Sequence, residues 1–163
     1  MSMTALIDGY LAGPDQLRKA IAGMTPAQID AAPVAGKWST RQVICHIADF
    51  EPVYADRIKR VIAEDQPLLM SGDPDEFAAK LAYGQRDLHV ELQLIEVVRQ
   101  HLAGILRTMS PEVFQRSGKH SRDGLLTIEV LLKRIAGHIP HHIQSIIEKR
   151  VALGLPPESL GPR

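Results

Sequence analysis

Two histidines four residues apart, His138 and His142, stand in the segment Gly137-His138-Ile139-Pro140-His141-His142. On a helix that spacing puts both imidazoles on one face, about one turn of rise apart. A third histidine, His46, lies far upstream in another segment of helical character. Two imidazoles from one helix and one from a neighbour can hold a divalent metal and leave coordination positions open, the feature that separates catalytic from structural metal sites. An ion held only by neutral imidazoles keeps its charge and strongly acidifies a water or a small thiol bound beside it. Activated water gives hydrolysis; an activated thiol, nucleophilic as thiolate, gives sulfur transfer to an electrophile. No serine–histidine–aspartate or paired-carboxylate arrangement in the chain offers a competing chemistry.

These residues need helices to present them, and the punctuation of the sequence marks long helices with short connectors. The spacing predicts a first helix over about 4–24, bent or split at Gly13-Pro14, and a short one opened by Thr25-Pro26. After the connector 32–36, Ser39-Thr40-Arg41-Gln42 reads as a capping box starting a helix over about 40–64 that carries His46. Asp73-Pro74 begins a short helix ending near Gly84; its segment Asp73-Pro74-Asp75-Glu76-Phe77 is a candidate cover for the site. A third long helix is expected over about 87–109, with Val90, Leu92, Leu94, Ile95, Val98, Leu102, Ile105 and Leu106 spaced for burial. Ser110-Pro111 opens another short turn, and 116–123 reads as a polar loop. Thr127 caps the last helix, about 128–153, closed by Gly154 and Pro156-Pro157. No period-2 alternation, internal repeat or low-complexity tract is evident. The expected fold is all-α: one domain over 1–163, a four-helix bundle with short connecting helices.

A helical wheel at about 100° per residue tests where the histidines face. With His138 at zero, Leu131, Ile135, Ile139, Ile143 and Ile146 centre at roughly +80°, His142 falls at about +40°, and His141 at about −60° on the polar side with Arg134 and Glu148. The favoured pair is therefore His138 with His142, with His141 outside it as a weak candidate for proton transfer. On the earlier helix, His46 borders a stripe of Val43, Ile47, Phe50, Tyr54, Ile58 and Val61 in the same relation. Both helices carry an internal proline, Pro52 and Pro140, which should free the carbonyls of Ala48 and Ala136. Asp49, three residues after His46, is a weak candidate to orient an imidazole from behind. His89, His101 and His120 read as surface or loop residues, and Cys45 as a small buried hydrophobe.

Nineteen basic and nineteen acidic side chains cancel, so no strong field draws this chain to nucleic acid or anionic lipid. A single cysteine excludes an internal disulfide and a thiolate metal cluster, leaving imidazole or carboxylate ligands. The N-terminus lacks the basic and apolar regions of a signal peptide, and no stretch approaches the about 18–20 apolar residues of a membrane span. The expectation is a soluble, cytoplasmic protein with a small-molecule substrate, no nucleic-acid partner and no membrane partner.

The segments Gly36-Lys37-Trp38-Ser39 and His46-Ile47-Ala48-Asp49, followed by Asp123-Gly124-Leu125-Leu126-Thr127-Ile128 and then Gly137-His138-Ile139-Pro140-His141-His142-Ile143, resemble the motifs of the DinB/YfiT-like superfamily in order and separation. The resemblance covers about residues 10–155. It implies a four-helix bundle, often a homodimer, with a divalent ion held by His46, His138 and His142: nickel or zinc first, manganese or iron next. It also implies an enzyme, either a metal-dependent hydrolase or a transferase using a low-molecular-weight thiol as cosubstrate, with thiol transfer preferred. The alternative is a non-catalytic, dimerising, stress-associated bundle with a vestigial or structural metal site. The chain departs from the commonest pattern by placing Pro140 between two of the three histidines.

Overall fold

The computed structural model describes residues 2–157. Four long helices carry the architecture: α1 (Met3–Ile21), α3 (Thr40–Ala63), α5 (Leu88–Leu106) and α6 (Ile128–Ala152), with short helices α2 (Pro26–Asp30) and α4 (Pro74–Lys80) between them. Their starts follow the local chemistry. Thr25 and Ser39 form full capping boxes with Gln28 and Gln42, while Asp73 and Thr127 accept amides at the heads of α4 and α6. Pro14 does not split α1, which runs through it as one helix.

Both α1 and α3 pack principally on α5 and α6, so the first and second long helices face each other across the bundle. In an up-down-up-down bundle consecutive helices would be neighbours. Here the links must cross, and 22–39, 64–87 and 107–127 are long enough to carry structure of their own. That structure corrects the expectation of helices alone. A small sheet forms from β1 (Leu68–Leu69), β2 (Ser117–His120) and β3 (Gly124–Thr127). β1 runs parallel to β2, and β2 pairs antiparallel with β3 from Ser117↔Thr127 to His120↔Gly124. The polar loop over 116–123 is thus half of a hairpin. Its buried positions are Gly118 and His120, so no apolar alternation announces it.

Apolar stripes build the core as the wheel expects on α6, where Leu131, Ile135, Ile139, Ile143 and Ile146 are all buried. On α5 the expected stripe is only partly right. Ile95, Leu102 and Leu106 are buried, whereas Val90 and Leu94 are exposed, because the buried stripe passes through Glu91 and Arg99. Arg99 is fully buried and joins all four long helices. From α5 its Nε donates to Glu51 Oε1 on α3 at 2.9 Å, Nη1 donates to the Tyr10 carbonyl on α1 at 2.6 Å, and Nη2 donates to the Ile135 carbonyl on α6 at 3.1 Å. The Tyr10 hydroxyl completes the carboxylate's shell through Glu51 Oε2, and its ring lies 4.4 Å from the guanidinium. A buried ion pair survives only when its remaining donors and acceptors are met in this way.

Candidate metal centre

His46, His138 and His142 come together. His46 Nε2 lies 3.0 Å from His138 Nε2, and His142 Nε2 lies 3.1 Å from His138 Nε2. One ligand atom from each falls within 4.8 Å of the others. Pro140 does not part the pair on α6, because the helix continues through it and both rings stay on one face. His46 reaches them from α3, as its marginal place on the apolar stripe implies.

The segment Gly36-Lys37-Trp38-Ser39 resolves into separate local tasks. Gly36 sits at φ +71 in the turn, a conformation that favours glycine. Lys37 pairs with Glu148 on α6, and Ser39 caps α3. Trp38 lays its ring 5.1 Å from the His46 ring, and Phe50 approaches the other side at 4.7 Å. Phe77 of α4 packs on Phe50 at 5.4 Å, so the segment around Asp73–Phe77 does lie over this region. Aromatic packing, not a hydrogen bond, aims the imidazoles: Nδ1 of His46 and of His138 are buried without a partner among the described residues. Asp49 therefore does not orient His46. Its carboxylate accepts from Arg86 Nη1 at 2.9 Å, because Arg86, held also by Glu91, stands on that side of α3.

The protonation states suit metal ligation. Burial lowers the His46 imidazole to about 4, with the fields of Asp49 and Asp75 opposing it. His138 falls to about 2 and His142 to about 3, by burial first and then by mutual repulsion with neighbouring histidines. All three are neutral near pH 7, so lone pairs are available. Protons alone serve this triangle badly, since each short Nε2···Nε2 contact needs one nitrogen protonated and the other not. One divalent ion would accept all three lone pairs, and three nitrogen donors suit zinc or nickel. The residues present fit such an ion.

Two clefts border the centre. One, of about 300 Å³, has His46 and His138 in its lining together with Tyr54, Arg57, His120 and Arg134. The other, of about 410 Å³, is lined by His142 with Trp38, Asp75, His141 and Glu148. His141 is exposed, its ring 5.1 Å from that of His142, outside the convergent set. The largest cavity described, about 670 Å³ beside Leu68, Met70 and Phe77, contains none of the histidines.

His89 and His101 are exposed as expected, and Cys45 is fully buried, its thiol pushed up to about 11 by burial. His120 is a correction. It is buried in β2, where its Nδ1 accepts the amides of Arg122 and Asp123. Sequence reasoning also missed Arg57, Arg99 and Glu51. Arg99 and Glu51 had a readable signal, a charge on a core stripe: Ile95-Arg99-Leu102-Leu106 and Ile47-Glu51-Ala55-Ile58.

A bundle with crossed links and three convergent histidines defines a recognisable class. The family model described as the DinB superfamily matches residues 10–146, and the chain belongs to that superfamily. A putative metal-dependent hydrolase of Oceanobacillus iheyensis is 30% identical over 133 residues, covering 82% of this chain and 77% of the relative. The putative metal-dependent hydrolase YfiT of Bacillus subtilis is 28% identical over 142 residues, covering 86% of this chain and 80% of the relative. The solved structure of YfiT, described as a probable metal-dependent hydrolase with an unusual four-helix bundle topology, superposes with a TM-score of 0.89 at 26% identity, covering 96% of this chain and 91% of that one. Among the described residues, no helix is long and apolar enough to cross a membrane.

Proposed function

We propose that this chain is a metal-dependent enzyme in which His46, His138 and His142 hold a divalent ion and a small nucleophile is activated against an electrophilic small molecule. The observation that carries the reading is the convergence of one ring nitrogen from each of three histidines within 4.8 Å beside two clefts. A bound zinc or nickel ion supplies Lewis acidity, which favours the deprotonated form of a thiol or water. The chain supplies the rest. Trp38 and Phe50 hold the His46 ring and keep water from its flanks. His141, exposed on the second cleft, is the candidate to pass a proton to solvent. Two clefts of separate lining give room for two organic reactants, which favours transfer of a low-molecular-weight thiol over hydrolysis. We also propose that the chain works as a homodimer, as the family resemblance implies; sedimentation as a single chain would overturn this.

The test is elemental analysis of tag-free protein, followed by assay. Near-stoichiometric nickel, zinc, manganese or iron that is lost in His46→Ala and His142→Ala supports the site; full occupancy after both substitutions overturns it. Loaded protein is then incubated with bacillithiol, mycothiol or glutathione and a chlorinated electrophile. Metal-dependent conjugation supports transfer, and its absence beside metal-dependent release of product from ester substrates assigns hydrolysis instead.

A further inference from the structure

The cleft that takes His46 and His138 into its lining has an unusual charge. Arg57, Arg122 and Arg134 line it against one carboxylate, Asp123. Arg57 is the informative member. The residue is 5% exposed, and its Nε donates to the Met70 carbonyl at 3.1 Å, with Nη2 donating to the same oxygen. The guanidinium also lies 5.0 Å from the Tyr54 ring. Among the described residues no carboxylate pairs with it. A buried cation answered by a neutral carbonyl, the Tyr54 phenol and the more distant field of Asp123, with no carboxylate in direct contact, is costly, and an incoming oxyanion would offset that cost. Arg134 and Asp123 do pair, but both are about 40% exposed (41% and 39%), so an incoming anion loses little by competing for that guanidinium.

His120 adds a donor of fixed polarity. Its Nδ1 accepts two backbone amides, from Arg122 at 3.4 Å and Asp123 at 3.2 Å, which leaves the ring proton on Nε2. The cleft thus gathers a buried guanidinium, two more at lesser depth and an imidazole N–H, all donors, beside two of the three histidines. Guanidinium groups present forked donors that match the paired oxygens of carboxylate and phosphate. A volume of about 300 Å³ suits a small molecule and not a polymer.

We propose that this cleft is an anion-recognition subsite: Arg57, with Arg134, Arg122 and His120 Nε2–H, receives the carboxylate or phosphate of the small molecule that reacts at the histidines. The assignment of a reactant to this cleft rests on the metal-centre reading; the binding of an oxyanion does not. The substrate class is therefore a small acid or phosphate ester, its oxyanion seated on Arg57 and its reacting end directed at His46 and His138.

The experiment titrates inorganic phosphate and, separately, malonate into the EDTA-treated full chain by calorimetry. Saturable binding of either supports the subsite, and the tighter one names the oxyanion. Arg57→Met should weaken binding by about tenfold or more, the scale of a charge-assisted hydrogen bond lost. Because Arg57 is buried, Arg122→Met/Arg134→Met serves as the second variant, expected to weaken binding several-fold on residues whose loss the fold tolerates. His142→Gln, at a residue outside this cleft's lining, should leave anion affinity within about twofold of the parent while weakening metal uptake. Unchanged affinity in the arginine variants overturns the proposal, as does anion binding that requires metal and disappears in His142→Gln. If no metal binds yet the anion still depends on the arginines, the subsite stands and the metal-centre reading falls.

Discussion

Metal-free protein should lose stability steeply as pH falls from about 6.5 to 5, and the three histidines set the size of the loss. An imidazole in an unfolded chain titrates near about 6.5, whereas the fold holds His46 at about 4, His142 at about 3 and His138 at about 2. Below about pH 6.5 the unfolded chain therefore binds more protons than the folded one, and stability rises with pH across that window. The penalty is small above it and grows as pH descends towards the folded values. Each unmatched proton is worth about 1.4 kcal/mol per pH unit. Relative to pH 7, three such groups cost about 2 kcal/mol at pH 6 and about 5 to 6 kcal/mol at pH 5. His138 and His142 keep part of their surface in water, and that screening brings the pH 5 figure to about 4 kcal/mol. A domain holding about 5–15 kcal/mol in total is then near its limit.

The assay is urea unfolding followed by far-ultraviolet circular dichroism at pH 7, 6 and 5. It compares EDTA-treated parent protein with His46→Gln/His138→Gln/His142→Gln. With a slope of about 2 kcal/mol per M, the parent midpoint should fall by about 2 M between pH 7 and pH 5, and the triple variant should lose only what the remaining groups contribute. Excess zinc should carry the parent's loss to lower pH, since the ion competes with protons for the same lone pairs. Equal pH dependence in parent and triple variant would refute the reasoning, because the histidines would then not be buried in their neutral form.

Arg99→Met should cost about 3–5 kcal/mol in the same urea assay, since it leaves Glu51 buried and unpaired; Glu51→Gln/Arg99→Met should recover part of that. Gly13→Ala should destabilise by about 1–3 kcal/mol, because a Cβ there would stand 2.2 Å from Arg99 Nη1 and 3.0 Å from Ile139 Cδ1. Trp38→Ala should leave the fold intact but weaken metal affinity by about tenfold, measured against a competing chelator, because the ring that aims His46 is gone.

How much of this was legible follows from what kind of signal each feature leaves. Helix starts were readable because a cap is local: Ser39 and Gln42 stand three residues apart and satisfy each other's amides. The histidine set was readable because helical spacing and a shared place beside an apolar stripe are properties of one segment at a time. The hairpin was not, since β2 offers Ser117, Gly118, Lys119 and His120, and it is held by pairing with β1 and β3 from distant links. Arg57 was hidden for the same reason: its partner is the carbonyl of Met70, and its importance depends on which cleft the crossed links close around it. Asp49 misled because proximity in sequence to His46 says nothing of Arg86, brought in from the link before α5.

The prolines inside the long helices take their meaning from Arg99. Pro14 cannot donate to the Tyr10 carbonyl, and Arg99 Nη1 supplies that missing hydrogen bond at 2.6 Å. Gly13 gives the guanidinium its seat, since any Cβ at that position would occupy it. Gly13-Pro14, which reads in sequence as a break, is instead the place where α1 accepts a side chain from α5. Pro140 likewise withholds a donor from Ala136, next to the Ile135 carbonyl that Arg99 also takes, and Pro52 follows Glu51, which carries the countercharge. Three proline-bearing helices are therefore tied through one guanidinium, about one turn along α6 from His138. A bundle whose first two helices are diagonal has no short hairpin to fix their relative height, so a buried four-way tie does that instead. The histidine triangle, drawn from α3 and α6, depends on the height that this tie sets.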